Sequence, residues 1–296
     1  MKEADLRLGI DLGGTKMEGV LLDKSGSVIL RRRTPTPQKD YRAILNSIAK
    51  LVEELTSDPG LPLGIGTPGS ISSQTGLMRN SNSTCLNEQP LLQDLELKLK
   101  RPVRIANDAN CFTLSEATDG AAQNVQVVFG VILGTGVGGG ICINQEILSG
   151  TNGITGEWGH IPLPAIANEE RSCFCGRENC VETWLSGPGL EATAKKFYEP
   201  GISTYSIAEK VNKNEPKAVA LIEEYCDKLA SALAIVINIL DPEKIVLGGG
   251  LSNIDALYKI TPELLPKYVF SDHVSTSIVK AAYGDSSGVR GAAWLF

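Results

Sequence analysis

The chain opens on an apolar run, Leu6–Leu12, that carries Asp11 near its end. Gly13-Gly14-Thr15-Lys16 turns it into a second run, Met17–Leu22, and Asp23-Lys24-Ser25-Gly26 turns that into a third, Ser27–Arg33. Short apolar runs bounded by Gly, Asp and Ser predict strands joined by tight turns. The segment therefore reads as an antiparallel meander with a glycine-rich first turn. Arg31-Arg32-Arg33, ahead of Thr-Pro-Thr-Pro, reads as a solvated strand end. Tyr41–Thr56 changes period: Ile44, Leu45, Ile48, Leu51, Val52 and Leu55 share one helical face. Leu61–Gly66 is a strand leading into Thr67-Pro68-Gly69, and Arg79–Asn87 is a polar loop without periodicity. A helix over Pro90–Lys100, a strand over Val103–Ala106 and a helix over Ala109–Asp119 follow.

The opening pattern then returns. Val125–Leu133 is a strand, Gly134-Thr135-Gly136-Val137-Gly138 a glycine turn, and Gly139–Ile143 a strand. Asn144-Gln145 is a tight turn before Glu146–Leu148. One β-meander is thus used twice, and only the first copy has a carboxylate, since Asp11 aligns with Ile132. Two related halves facing each other across a cleft is the arrangement this repeat suggests. Helices are expected at Gly187–Phe197, Ser206–Asn212, Lys217–Leu240 and Ser286–Phe296. A strand, Glu243–Leu247, ends in a third glycine cluster, Gly248-Gly249-Gly250.

At 296 residues the chain is long enough for about two domains. A net charge of −6 disfavours general nucleic-acid binding. No apolar run approaches a membrane span, and Met1-Lys-Glu-Ala-Asp5 has no signal core. With seven scattered or clustered Cys and none needed as a staple, the expectation is a reducing, cytoplasmic setting.

The chemistry concentrates between Glu157 and Glu182. His160, Cys173, Cys175 and Cys180 fall within twenty-one positions, flanked by those two carboxylates. Three thiolates and an imidazole complete a closed tetrahedral zinc shell, which is structural because no position is left open. Buried or redox-active cysteines are the alternative, but three within eight residues of a Gly/Arg/Glu/Asn-rich loop is not a core pattern. Pinned by zinc, Glu157 and Glu182 would accept hydrogen bonds from neighbouring hydroxyls, as on a sugar; plain surface charges remain the other reading.

Gly134-x-Gly136-x-x-Gly139 matches the dinucleotide fingerprint, but a strand follows the glycines where that motif needs a helix. The P-loop's Gly-Lys-Ser/Thr is absent. What remains is three strand-to-turn glycine clusters, around Gly13, Gly134 and Gly249, whose N–H groups can approach phosphate oxygens. Asp11 beside the first would hold Mg²⁺, largely through water. Asp108 is the candidate general base for phosphoryl transfer to an alcohol, against the plainer reading of a helix N-cap.

Six segments carry a family resemblance: Gly9-Ile-Asp-Leu-Gly-Gly-Thr-Lys16, Gly64-Ile-Gly-Thr-Pro-Gly69, Ala106-Asn-Asp-Ala-Asn110, Leu133-Gly-Thr-Gly-Val-Gly138, Gly156-Glu-Trp-Gly-His160 and Cys173-x-Cys-Gly-x-x-x-Cys-x-Glu182. In this order they resemble the ROK family of repressors and sugar kinases. The resemblance implies an α/β, duplicated actin-like (ribonuclease H-like) fold. Residues 1–119, with a C-terminal helix at about 284–296, would form a small domain, and 120–283 a larger one with the zinc loop. It further implies that Asp108 is the catalytic base. Gly69, Asn82, Asn107, Asp108, Glu157, His160 and Glu182 would line a hexose site. ATP and Mg²⁺ would lie on Gly9, Asp11, Gly13, Gly14, Thr15, Lys16, Gly134, Thr135, Gly136, Gly138 and Gly249. His160, Cys173, Cys175 and Cys180 would bind structural Zn²⁺. A homodimer is the family expectation.

One departure is Asn179, where the family has Gly before the third Cys; Asn tolerates a left-handed backbone, so the loop is expected to survive. Asn80–Asn87, Gly159–Pro164 and Gly284–Ala293 look most like bacterial fructokinase of the manno(fructo)kinase type. N-acetylglucosamine kinase is the second reading, with glucokinase or mannokinase activity beside it. Family repressors carry an N-terminal helix-turn-helix, whereas the first strand here begins near Leu6, so a regulator is the more distant expectation. A nicotinamide oxidoreductase rests only on the weak glycine match.

Overall fold

A computed structural model describes residues 6–163 and 169–296. Met1–Asp5, read above for a signal core, and Pro164, which closes one of the motifs above, lie outside the described residues. By contact the chain forms two compact units. The first comprises Met1–Asn124, Gly140–Thr155 and Asp285–Phe296; the second comprises Val125–Gly139 and Gly156–Gly284.

The first unit is built on β1 (Leu6–Leu12), β2 (Lys16–Asp23) and β3 (Val28–Pro35), the expected antiparallel meander. β4 (Leu63–Thr67) joins β1 in parallel. A two-strand hairpin, β5 (Ser70–Ile71) with β6 (Met78–Arg79), follows. β7 (Val103–Asn107) joins β4 in parallel, giving the order β3-β2-β1-β4-β7. Leu8, Ile10, Leu12, Leu63 and Ile65 are buried in one cluster with Ile44, Ile48, Leu51 and Val52 of α1 (Tyr41–Leu55). Asp40 caps that helix through Ala43 N–H at 3.0 Å. The polar Arg79–Asn87 stretch is not wholly loop: it takes the end of β6 and one 3-10 turn, Thr84–Leu86, which buries Leu86. α2 (Leu91–Leu99) and α3 (Asp108–Thr118) complete the first pass of the chain.

Arg31 and Arg33 are not merely solvated. Strand alternation puts both toward Glu18 of β2, whose side chain is only 4% exposed, and each pairs with it, Arg33 Nε at 2.6 Å. A lone buried carboxylate would be costly, so the two guanidinium groups are what allow Glu18 to be there.

The second sheet repeats the first. β8 (Val127–Leu133), β9 (Val137–Ile143) and β10 (Glu146–Ile147) form the second meander, with β9 running across the boundary between the units. Asn144 and Gln145 both have positive φ, 52° and 64°, as a two-residue type I′ hairpin requires. β11 (Lys244–Gly248) pairs with β8 and β12 (Ser277–Lys280) with β11, both in parallel. The order is β10-β9-β8-β11-β12, position for position that of the first sheet. Gly140–Thr155, placed in the second half by the sequence reading, has its contacts in the first unit. A Cβ on Gly140 would lie 2.5 Å from Thr113 Oγ1, and Arg79 Nη2 donates to the Asn152 carbonyl at 2.6 Å.

The helices of the second unit are α4 (Val181–Leu185), α5 (Gly187–Ala194), α6 (Thr204–Asn212), α7 (Pro216–Leu240) and α8 (Leu257–Leu264). α7 starts with Pro at its first position, where no N–H is needed, and buries Leu221, Ile222, Tyr225 and Leu229. The last helix, α9 (Ser287–Ala293), returns to the first unit. It lies directly on backbone. A Cβ on Gly64 would stand 1.7 Å from the Ala292 carbonyl, and one on Gly291 would stand 1.6 Å from that of Cys111 in α3. Among the described residues no helix is long and apolar enough to cross a membrane.

Candidate active site

In the first unit, β1, β4 and β7 run parallel and end at Leu12, Thr67 and Asn107. Ligands of open α/β sheets bind at such carboxyl ends, and most of the first unit's candidates gather there. Gly9 is an exception. A Cβ on it would stand 2.4 Å from Ala293 N, so its work is to seat α9.

The first glycine turn is held from outside by residues the sequence reading did not single out. Thr36 Oγ1 donates to the Gly13 carbonyl at 2.7 Å, Gln38 Nε2 to that of Gly14 at 2.7 Å, and Thr36 N–H to that of Thr15 at 3.0 Å. With its carbonyls taken, the turn is left with its N–H groups as the polar edge to offer an anion. Gly14, Thr15 and Lys16 are exposed. Ser83 Oγ lies 3.5 Å from where a Gly14 Cβ would be, which brings the loop carrying exposed Asn82 to this turn. Asn87 braces that loop with both ends of its amide, at 2.8 Å to Ser81 N–H and 3.1 Å to the Ser81 carbonyl.

Asn107, not Asp108, is the N-cap of α3: its Oδ1 accepts from Ala109 N–H at 2.9 Å while its Nδ2 donates to the Gly69 carbonyl at 3.2 Å. Gly69 has φ +82°, and a Cβ there would collide with the Arg79 carbonyl at 2.4 Å, so only glycine fits. Asp108 is exposed at the first helical position, and its Oδ1 also accepts from Ala109 N–H, at 2.8 Å. Asp11 is pushed up to about 7, first by burial and then by Asp108 and Glu18, with Lys16 opposing.

In the second unit the glycine clusters again follow parallel strands. Gly134, Thr135 and Gly136 come directly after β8, with Gly138 the second residue of β9, and Gly249, φ +81°, comes directly after β11. Around Gly134 a Cβ would meet nothing within 4 Å, so its surroundings are open.

The cysteine loop brings together a group that could hold a metal ion. The ligand atoms of His160, Cys173, Cys175 and Cys180 all lie within 4.8 Å of one another. Cys173 Sγ is 3.6 Å from His160 Nδ1, and Cys175 Sγ is 3.6 Å from Cys180 Sγ. Tetrahedral zinc, with bonds of about 2.3 Å to sulfur and 2.0–2.1 Å to nitrogen, sets its ligand atoms roughly 3.5–3.8 Å apart. The same spacing is far beyond the ~2.05 Å of a disulfide, and all the cysteines of the chain are free thiols. The donor set and its spacing fit zinc. Asn179 holds φ +52°, the left-handed backbone that Gly would supply, and its side chain does more than Gly could. Its Oδ1 accepts from Arg171 N–H at 2.9 Å, and its own N–H donates to the Arg171 carbonyl at 2.9 Å.

Arg171 then ties the loop to the helices behind it. It donates to the Thr183 and Gly189 carbonyls at 2.9 and 3.0 Å and lies over the Trp184 ring at 3.5 Å. Glu157 is exposed just ahead of the 3-10 turn Trp158–His160. Glu182, in the first turn of α4, gives Oε2 to Val137 N–H at 2.9 Å. That bond connects the carboxylate directly to the second glycine turn, a contact that spacing along the chain did not reveal.

The doubled five-stranded order, with glycine turns at the strand ends, defines a duplicated actin-like α/β protein. The ROK family model matches residues 7–296. The chain is 42% identical over 296 residues to the N-acetyl-D-glucosamine kinase of Yersinia pseudotuberculosis, covering 97% of each chain. The ROK hexokinase from Thermus thermophilus has the same fold at a TM-score of 0.85, 27% identical, over 98% of this chain and 97% of that one. The ROK family glucokinase from Streptomyces griseus, solved in complex with glucose and AMPPNP, gives 0.76 at 27% identity, over 97% and 98%. The chain belongs to the ROK family, among its sugar kinases.

Proposed function

We propose that the protein is an ATP-dependent N-acetylglucosamine kinase that transfers the γ-phosphate to the sugar 6-hydroxyl. The observation that carries the choice of sugar is the 42% identity, over 97% of both chains, to an N-acetyl-D-glucosamine kinase. It outweighs the likeness of three short motifs to fructokinase, because it draws on the whole chain.

Each candidate has a role in this reading. Asp108 takes the proton from the 6-hydroxyl as the oxygen attacks phosphorus; a positioned base of this kind contributes about a hundred- to ten-thousandfold. Asn107, held between Gly69 and Ala109, and the braced Asn82 loop bind hydroxyls. Glu157 and Glu182 accept from others. His160 presents Nδ1 to the cysteine cluster, which leaves Nε2 for the sugar. The N–H groups of the turn at Gly13–Lys16, and those of the turn at Gly134–Gly138 other than Gly134 and Val137, receive phosphate oxygens. Mg²⁺ when bound neutralises phosphate charge. Asp11 fits it: burial and the neighbouring Asp108 and Glu18 disfavour its charge more than Lys16 supports it, and a divalent cation would tip that balance. Zinc at His160, Cys173, Cys175 and Cys180 gives the loop its rigidity.

The test is product analysis. With ATP, Mg²⁺ and N-acetylglucosamine, phosphorus NMR should show one sugar phosphate coupled to the C6 protons. A fructose phosphate formed in preference would return the sequence reading; phosphate on the anomeric oxygen would remove Asp108 from its role.

A further inference from the structure

The glycine turn after β8 is held on four sides by the segment that carries the carboxylates. Glu182 Oε2 accepts the Val137 N–H at 2.9 Å, and Trp158 Nε1 donates to the Gly138 carbonyl at 3.0 Å. Gly187 N–H donates to the Gly134 carbonyl at 2.7 Å. Gly159 sits so close that a Cβ on it would stand 2.2 Å from the Val137 carbonyl. From the turn's side the fit is equally tight: a Cβ on Gly136 would stand 2.7 Å from Glu182 Oε2, and one on Gly139 would stand 2.6 Å from Trp158 Cδ1. All of these residues belong to the second unit. The Trp158 ring is buried and fixed edge-on against Phe129 of β8, centroids 5.6 Å apart.

We propose that Trp158 and Glu182 are positioning residues that set the register of turn 134–139 against the sugar-reading segment, so that sugar and nucleotide each strengthen the binding of the other. This rests on the reading above, in which the turn takes ATP phosphates and the segment takes the sugar. Trp158 stands between Glu157 and His160, and the 3-10 turn it shares with His160 makes them one rigid piece. A sugar that fixes Glu157 and His160 therefore fixes the indole N–H and, through it, the Gly138 carbonyl. Glu182 is the second connection. Among the described residues its side chain makes only the hydrogen bond to Val137, and that uses a single oxygen. A hydroxyl on the other oxygen would lock the carboxylate in the rotamer that holds Val137 N–H. The ordering of the turn is then met by whichever ligand arrives first, and linkage makes the effect equal in both directions.

Isothermal titration of a non-hydrolysable ATP analogue, with and without saturating sugar, tests this on the intact zinc-loaded protein. Sugar should tighten the analogue by about tenfold, the effect of one charge-assisted hydrogen bond gained. Trp158→Phe removes the indole N–H without touching a sugar hydroxyl; it should cut the tightening to under about twofold while sugar affinity measured alone stays within about threefold. Glu182→Asp keeps the charge but is too short for Val137; it should abolish the tightening and weaken sugar as well. Melting curves confirm the fold of each variant, and Glu182, half-buried at a helix end, carries the test should Trp158→Phe prove unstable. An analogue affinity that ignores sugar in the wild type overturns the proposal. Undiminished coupling in either variant overturns the role given to that residue. If N-acetylglucosamine gives no heat and another hexose does, the substrate reading fails instead, and the same titration proceeds with that hexose.

Discussion

Replacing Cys175 by Ser removes one corner of the metal cluster at little cost in packing, because Cys175 is the exposed member of the set. Any large effect therefore reports the metal. His160 and Cys180, the outermost ligands, enclose a segment of twenty-one residues. Fixing the ends of a loop that long removes about 3 kcal/mol of unfolded-chain entropy on the chain-entropy relation. For a unit of the size formed by Val125–Gly139 and Gly156–Gly284, 1 kcal/mol shifts Tm by roughly 2–4 °C. Cys175→Ser, or wild type stripped by a strong chelator, should then melt about 6–12 °C lower by calorimetry. Metal analysis should fall from one zinc per chain to none. The sugar KM should rise more than the ATP KM, since Glu157, His160 and Glu182 flank the loop directly. A wild-type protein without zinc that is fully active and melts at the same temperature with or without chelator would refute the reasoning.

Asp108→Asn should bind sugar within about threefold of wild type by titration and lose about a hundred- to ten-thousandfold in kcat; an unchanged kcat removes the general base. Asp11 holds its proton up to about pH 7 when folded, well above the ordinary carboxylate value of 3.8. The folded chain therefore binds more protons than the unfolded one between those values, and without Mg²⁺ stability should fall as pH rises from about 4 through about 7. Asp11→Asn should flatten that decline in Tm and raise Tm above pH 7; parallel profiles would contradict it. Gly291→Ala forces a Cβ against the Cys111 carbonyl and should cost at least about 2 kcal/mol in urea unfolding. Gly134→Ala, where the space is open, should leave stability unchanged and raise the KM for ATP.

The meanders were legible because strand alternation and glycine turns are local signals. Both hairpins and the helix over Tyr41–Leu55 lie where the pattern puts them. β12 was not legible: four residues, Ser277–Lys280, become a strand only by pairing with β11. The duplication itself could have found it, since a repeat of β3-β2-β1-β4-β7 demands a fifth strand. α4 has five residues, too few for a helical period to register. The pairing of Arg31 and Arg33 with Glu18 depends on the register of β2 against β3, including its shift between Leu21 and Leu22, which no single strand encodes.

At the site, the sequence shows which residue types are candidates but not how they are attached. The four candidate metal ligands stand out by spacing because all lie on one loop. Thr36 and Gln38 on the first glycine turn, and Glu182 on Val137, span 23 to 45 positions of sequence, so only folding brings them together. The sugar is the least legible feature, because hexoses that differ by one group are told apart by a few contacts, and the fructose expectation rests on short motifs such as Asn80–Asn87 rather than on the whole chain.

The most direct test of the account is a coupled assay of ADP release over fructose, mannose, glucose, N-acetylglucosamine and N-acetylmannosamine, compared by kcat/KM. N-acetylglucosamine should exceed each of the others by at least about tenfold. A kcat/KM for fructose equal to or above it, or no turnover with any of the five, would contradict the account.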